Sequence, residues 1–170
     1  MRLFIIEKIK ALLFIIFAIF SFISLISFSS TDPGINFVGN NNEVDNMMGP
    51  FGAYFSSILY TFLGYSSYFL PIFFIIHGFV SLLKNKRSSI ATKLIIFLFG
   101  IIFLNYSIYI LDNNFSLLSI FLNDITSSFL EQIFNSNILS QLISSILGLV
   151  SILLILYSIN INLKYFSKFY

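Results

Sequence analysis

Four long apolar stretches separated by polar segments dominate the sequence. The first runs from about Ala11 to Phe28, the third from Leu94 to Leu111 and the fourth from about Ile143 to Ile161. Each is close to the roughly 20 residues that a helix needs to cross the hydrocarbon core of a bilayer. With a second span, described next, the pattern predicts four transmembrane helices, none of which contains Asp, Glu, Lys or Arg.

The second apolar stretch, Ser56 to Leu83, is too long for one upright span. Gly64 and Pro71 interrupt it. We therefore expect an amphipathic entry segment, Gly52–Leu63, near the outer interface, followed by a span from about Tyr65 to Leu83. A single tilted and kinked helix is the alternative.

The basic residues fix the predicted orientation. They all fall before the first span, between the second and third, or after the fourth, as Arg2, Lys8, Lys10, Lys84, Lys86, Arg87, Lys93, Lys164 and Lys168. The outer loops, 29–64 and 112–142, contain acidic residues but no Lys or Arg. The positive-inside rule therefore places both termini and the inner loop, 84–93, in the cytoplasm. The first apolar stretch exceeds a signal-peptide core and lacks an A-x-A-like site, so we expect an uncleaved span.

Composition supports the same class of protein. Apolar residues make up 58% of the chain and charged residues 9%, whereas soluble domains carry about 25% charged residues. We therefore expect residues 1–170 to form a single all-α integral membrane domain, in contact with the lipid bilayer. The net charge of +2 is too small to indicate nucleic-acid binding by the chain.

Candidate chemistry is sparse. Cysteine is absent, which excludes disulfides, thiolate metal sites and a cysteine nucleophile. No glycine is followed by Lys, so the chain has no P-loop and no ATP-binding motif. Asp32, Glu43 and Asp45 do not have the spacing of a calcium loop. We therefore predict no catalytic, cofactor-binding or metal-binding residue and expect that the chain is not an enzyme.

Two polar residues lie inside predicted spans. His77 is the only histidine and has no ionisable partner in the other spans. A neutral imidazole bonded to a neighbouring helix is therefore a better interpretation than a proton relay. Asn105 is expected to form an interhelical hydrogen bond, and Gly100 and Gly148 are expected to allow close helix approach.

The two halves of the chain share an order of elements. Each contains a span, a polar outer loop, an amphipathic entry segment and a second span, with Ala53–Gly78 and Ser128–Gly148 in equivalent places. A repeat of this kind would have its axis along the membrane normal. The residues match poorly, so a true duplication stays an open question.

The first outer loop carries a distinctive pattern. Ser27-Phe28-Ser29 ends the first span, and Thr31-Asp32-Pro33 follows directly. The remaining elements, in order, are Asn46, Gly49, Pro50, Gly52, Ala53, Gly64, Pro71 and Gly78. This pattern resembles the N-terminal four-transmembrane region of the FtsK/SpoIIIE-type bacterial DNA translocases. The residues that match the family pattern lie between Ser27 and Gly78. The third and fourth spans match the family only as apolar spans, without motif residues.

The resemblance implies a membrane anchor at the division septum of the bacterial inner membrane. In that family the membrane region tethers and oligomerises a cytoplasmic hexameric ATPase, and it takes part in recruiting division proteins. A homo-oligomer and division-protein partners are therefore expected. The motor would lie C-terminal to Tyr170, so neither ATP nor DNA binding is assigned here.

Two other functions remain open at this stage. A small transporter or channel subunit would need an ionisable coupling group, for which only His77 is available. A holin-like lesion-forming protein is the third possibility.

Overall fold

The chain is all helical in the part that the structure, a computed structural model, describes. That part comprises residues 2–35, 44–83, 90–112, 116–133 and 137–159. Its helices are α1 (Arg2–Ile26), α2 (Gly49–Leu63), α3 (Phe69–Leu83), α4 (Ile90–Asp112), α5 (Leu117–Ile133) and α6 (Asn137–Ile159), and a 3₁₀ segment, Gly64–Tyr68, joins α2 to α3. No strand occurs in these ranges. The predicted all-α class is confirmed.

Four stretches are long and apolar enough to cross a membrane. They are Ile5–Ile26, the 35-residue run Gly49–Leu83, Ile90–Ile110 and Gln141–Ile159. The long run contains two helices, α2 and the 15-residue α3, joined by a 3₁₀ segment, and it counts as one of the four candidate spans. The four predicted transmembrane helices are therefore confirmed.

Helices α1 and α3 form an antiparallel pair. Contacts that lie later in α1 are made with residues that lie earlier in the chain around α3. Lys8 contacts Leu82, and Ala11 and Ile15 lie beside Gly78. Phe14 and Phe17 contact Phe74, and Leu25 is bonded by Tyr68, just before α3. We call the end of the bundle near Lys8 and Leu82 the terminal end, and the end near Leu25 and Tyr68 the loop end.

Helices α4 and α6 form a second antiparallel pair, packed through small residues. A Cβ on Gly100 would lie 2.8 Å from Cγ1 of Ile155 and 3.2 Å from the carbonyl oxygen of Ser151. A Cβ on Gly148 would lie 2.5 Å from Oγ of Ser107. Small residues at membrane helix interfaces let the backbones approach closely. The predicted role of Gly100 and Gly148 is therefore confirmed.

Helix α2 crosses α1 at the loop end instead of running beside it. Phe51 and Phe55 both contact Phe20, and Phe55 also contacts Phe17. Helix α5 lies at the loop end of α4 in the same way, because both Ser116 and Thr126 bond to neighbouring residues of α4. Each half of the chain thus consists of two antiparallel spans with one helix across their loop end.

A compact apolar cluster joins the two pairs. Phe73 of α3 stacks on Phe97 of α4 with ring centroids 4.3 Å apart, and Ile101 and Ile155 complete the buried group. The two pairs are therefore in contact through large side chains, whereas each pair also contains a glycine that lies against the facing helix.

Gly64 separates α2 from α3. Its φ of 55° lies in the left-handed region that favours glycine, and its N–H bonds to the carbonyl oxygen of Tyr60. Pro71 is the third residue of α3. In the first turn of a helix the missing proline N–H removes no intrahelical hydrogen bond. The long apolar stretch therefore turns at Gly64 and starts again before Pro71.

Candidate functional site

The first half of the family pattern folds into one unit at the loop end. We call residues 27–35 and 44–53 the signature turn. Asn46 is its centre: it is buried, and its side-chain nitrogen donates to the carbonyl oxygens of Ser24 at 2.9 Å and Ser27 at 3.2 Å. The Asn46 Oδ1 accepts a hydrogen bond from the backbone N–H of Met48 at 3.0 Å. Asn46 therefore closes the end of α1 and shapes the start of α2.

Two glycines of the pattern serve the same turn for different reasons. Gly49 begins α2 with φ at 66°, and its N–H donates to the Asn46 carbonyl at 2.8 Å. Gly52 has ordinary dihedrals, but a Cβ there would overlap the Cβ of Met48 and Oδ1 of Asn46. Ala53, next to it, is buried. Glycine is favoured at position 49 because the backbone there has a positive φ, and at position 52 because a side chain would not fit.

Asp32 and Pro33 form the other side of the signature turn. Asp32 is buried, and its Oδ1 accepts the backbone N–H of Asp45 at 2.8 Å. Its Oδ2 has no hydrogen-bond partner among the described residues. The Thr31 hydroxyl lies 3.3 Å from Oδ2 of Asp45. Asp32 thereby ties the residues that follow α1 to the residues that precede α2, with Pro33 half-buried beside it.

The other signature residues, Gly64, Pro71 and Gly78, lie outside the signature turn. Gly64 is at the break between α2 and α3, and Pro71 is buried in the first turn of α3. A Cβ on Gly78 would lie 2.6 Å from Cγ1 of Ile15 and 3.1 Å from the Ala11 carbonyl oxygen. The pattern therefore combines a folded turn with the packing positions of α3.

Tyr68 extends the closure of α1, which the sequence pattern does not indicate. Its hydroxyl donates to the Leu25 carbonyl at 3.1 Å. Phe28 stacks on Tyr60 with ring centroids 4.7 Å apart. The last carbonyls of a helix have no intrahelical partner, and Asn46 and Tyr68 supply donors to two of them, those of Ser24 and Leu25.

The predicted topology residues Lys8 and Lys10 have side-chain partners near the terminal end. Lys8 donates to the carbonyl of Leu82, in the last turn of α3. Lys10 lies 3.4 Å from Glu7 in an exposed pair, of the kind that contributes little to stability. Lys93 lies in the first turn of α4. The other predicted topology residues, Lys84, Lys86, Arg87, Lys164 and Lys168, are outside the described residues.

His77 links α3 to α6. Its Nε2 lies 3.0 Å from the Ser158 carbonyl oxygen, and its ring lies against Phe73 at a centroid distance of 4.3 Å. A carbonyl can only accept, so Nε2 carries the proton in this contact. The predicted bond to a neighbouring helix is confirmed. His77 therefore holds α3 against α6 near the last described residues of that helix.

Asn105 links three elements at the loop end. Its side-chain nitrogen donates to the Leu63 carbonyl at 2.8 Å, and its Oδ1 accepts from the Ser116 hydroxyl at 2.8 Å. Ser116 and Ser119 bond reciprocally through side chain and backbone at the start of α5. The expected interhelical hydrogen bond is confirmed, and it joins the end of α2 to the start of α5.

The arrangement is suited to holding helices together. Among the described residues, no three His, Asp or Glu side chains come together as a metal site. The buried polar groups of the signature turn and of the spans bond mainly to backbone carbonyls of their own or neighbouring helices. Sequence reasoning missed Ser144, Ser151 and Ser158, whose spacing along α6, with Gly148 and Ile155, marks one buried face.

Comparison with known families assigns the chain. The family model of the 4TM region of the DNA translocases FtsK and SpoIIIE matches residues 5–169, from the start of the first span to the end of the chain. No curated protein and no solved structure matches the chain. The match covers all four candidate spans and the signature turn, so this multi-pass membrane chain belongs to the family of FtsK/SpoIIIE four-transmembrane regions.

Proposed function

We propose that this chain is the membrane anchor and oligomerisation domain of a septal DNA translocase. The observation that carries the proposal is the family match over residues 5–169, which spans every described helix. The signature turn supports it because the first half of the family pattern folds into one hydrogen-bonded unit there. The anchor places a cytoplasmic motor at the inner membrane and contributes no ATP hydrolysis of its own.

The proposed orientation has both termini in the cytoplasm, which puts a motor following α6 on the same side as DNA. It rests on the segregation of all nine basic residues to the termini and the inner loop. The chain has no cysteine, so single cysteines report position without background. Ser30→Cys should react with an impermeant maleimide in intact cells, and Ser88→Cys should react only after the membrane is opened. The reverse labelling pattern would contradict this orientation.

Localisation tests the septal part of the proposal. A fluorescent fusion expressed at native level should be enriched at midcell in constricting cells. The matched control is an unrelated four-span membrane protein carrying the same fluorophore, which should outline the whole cell. A uniform outline for the fusion of this chain would contradict a septal anchor.

Oligomerisation has its own readout. The proposal predicts a particle mass, after subtraction of detergent, that is a multiple of 19.5 kDa. A 19.5 kDa particle at every protein concentration and in every mild detergent would contradict the proposed oligomerisation, but it would not contradict the proposed role as a membrane anchor. The transporter alternative gains no support, because the His77 ring is bonded to a backbone carbonyl, that of Ser158.

A further inference from the structure

Helix α2 and the start of the 3₁₀ segment present a continuous row of large apolar side chains to the outside of the bundle. We call this row the aromatic stripe: Phe51, Tyr54, Ile58, Phe62 and Tyr65. Successive members are three or four residues apart, so they lie on one face. All five are exposed, from 39% for Ile58 to 73% for Phe51. Within the described part of the chain, no other element buries the stripe.

The fully buried residues of α2 are all small. Gly52, Ala53, Ser56, Ser57 and Thr61 are all buried against the rest of the bundle. No charged residue occurs between Gly49 and Leu63. A surface helix in water has its apolar face inward and its polar face outward. Helix α2 has the reverse arrangement, so its outer face is not built for water.

From this arrangement we infer that the aromatic stripe is a lipid-contacting surface, with α2 lying across one leaflet of the bilayer at the loop end. The stripe continues into exposed residues of the neighbouring span: Phe69, Ile72, Phe79 and Leu83. That span crosses the membrane and must expose apolar residues to lipid. Exposed apolar residues therefore occur on both α2 and α3.

Lipid fits the stripe better than a second copy of the chain does. Membrane helix–helix interfaces are enriched in small residues that allow close approach, and the small residues of α2 are already used on its buried face. Aromatic residues, by contrast, favour the membrane–water interface. Tyr54 and Tyr65 lie towards the two ends of the stripe, as expected for a helix near the headgroups.

The depth of α2 follows from its partners on α1. Phe51, Phe55 and Tyr60 contact rings that lie between Phe17 in α1 and Phe28, two residues after its end. At 1.5 Å per residue this stretch covers about 17 Å, roughly half of the ~30 Å hydrocarbon core. The stripe therefore belongs to one leaflet and its interface.

Helix α5 has a similar exposed apolar row in the second half of the chain, although it also carries the exposed Asp124. Leu117, Phe121 and Ile125 are exposed on one face, whereas Ser116 and Ser119, at its start, are buried. Among the described residues, both of these helices, α2 and α5, therefore lie at the loop end of the spans.

Depth-dependent fluorescence quenching tests the inference. The chain has no tryptophan, so Phe51→Trp and Phe62→Trp each introduce a single probe at an aromatic position. Each variant is reconstituted into phosphatidylcholine vesicles with bromine either near the headgroup or near the chain ends. Ile16→Trp, exposed in the middle of α1, is the matched control for a deep site. Helix content verifies that each variant is folded.

The expected result is stronger quenching of Phe51→Trp and Phe62→Trp by the shallow bromines, and of Ile16→Trp by the deep ones. The ratios should stay constant as the protein-to-lipid ratio rises. Deep quenching at either α2 position would place the helix through the core and overturn the inference. Loss of quenching at high protein-to-lipid ratio would overturn it in favour of a second copy. No quenching at any ratio would overturn it as well, because protein would then cover the stripe.

Discussion

Helix ends at the loop end of this bundle are closed by side chains that come from other parts of the chain. Carbonyls in the last turn of α1 are bonded by Asn46 and Tyr68, and the last carbonyl of α2 is bonded by Asn105. Lys8 and His77 likewise bond to carbonyls near the last described residues of α3 and α6. The last four carbonyls of a helix lack intrahelical partners, and a membrane offers little water to replace them. The polar residues of the spans therefore have a shared structural task.

The first residue-scale prediction concerns Asn46. Replacing it with Ala leaves the Ser24 carbonyl without its donor, at a cost of about 1–3 kcal/mol for an unsatisfied buried group. Asn46→Asp should be at least as destabilising, because a carboxylate cannot donate to carbonyl oxygens. Thermal unfolding in detergent, followed by circular dichroism, measures both. Wild-type stability of Asn46→Asp would contradict the donor role of the amide.

The second residue-scale prediction separates the two glycines of the signature turn. Gly52→Ala should destabilise the fold by about 1–3 kcal/mol, because its Cβ overlaps Met48 and Asn46. Gly49→Asn is the matched control: a Cβ there meets no atom within 4 Å, and Asn tolerates positive φ better than other residues do. The same unfolding measurement applies. Equal losses at both positions would show that space at Gly52 is not the cause.

At the scale of elements, the two pairs of spans depend on close backbone approach, but the obstacles to a larger side chain differ. At Gly148 the nearest atoms belong to the Ser107 side chain, whereas at Gly100 and Gly78 backbone atoms of the facing helix are also near. A side chain can be shortened by substitution, and a backbone atom cannot. The difference yields a test of the α4–α6 packing.

Gly148→Ala should weaken the α4–α6 pair, and adding Ser107→Gly should restore most of the loss because it removes the obstructing atoms. Gly100→Ala should not be rescued by Ile155→Ala, since the Ser151 carbonyl remains 3.2 Å from the new Cβ. Double-mutant cycles of the unfolding free energy measure the coupling. Additive effects of Gly148→Ala and Ser107→Gly would contradict a direct contact between these positions.

His77 ties together elements from the two halves of the chain. His77→Leu removes the bond to the Ser158 carbonyl and should cost about 0.6–2 kcal/mol, the range for hydrogen bonds between membrane helices. His77→Gln keeps a donor and should lose less. Neither variant should abolish midcell enrichment of the fluorescent fusion. If His77→Leu abolished the cellular function of the chain without changing its stability, a transport role would be favoured instead.

For the whole molecule, the sequence predicts those structural features that depend on residues close together in the chain. Four spans follow from unbroken apolar runs, and the turn at Gly64 follows from a residue that adopts positive φ. The partners of His77 and Asn105 could not be predicted, because they lie 81 and 42 residues away in the chain. Hydropathy measures only transfer into lipid and carries no information about which helices pair.

The signature turn shows the same division between local and distant causes. The family pattern identifies Asn46, Gly49 and Gly52 as special positions, but composition does not show that Asn46 bonds to the end of α1. In α6 the sequence does contain a pattern that indicates a contact face. Its members recur at spacings of three and four residues: Ser144, Gly148, Ser151, Ile155 and Ser158. That spacing marks a helix face, and it could have predicted the small-residue seam with α4.

Above all, we propose that this chain anchors a DNA-translocating motor in the membrane. The most direct test is the mass of the native product in cell membranes, detected with an antibody raised against the loop from Asp32 to Asp45. We expect a band several times heavier than 19.5 kDa, or a 19.5 kDa chain that co-purifies with an ATPase. A 19.5 kDa band with no associated ATPase would contradict the anchor role.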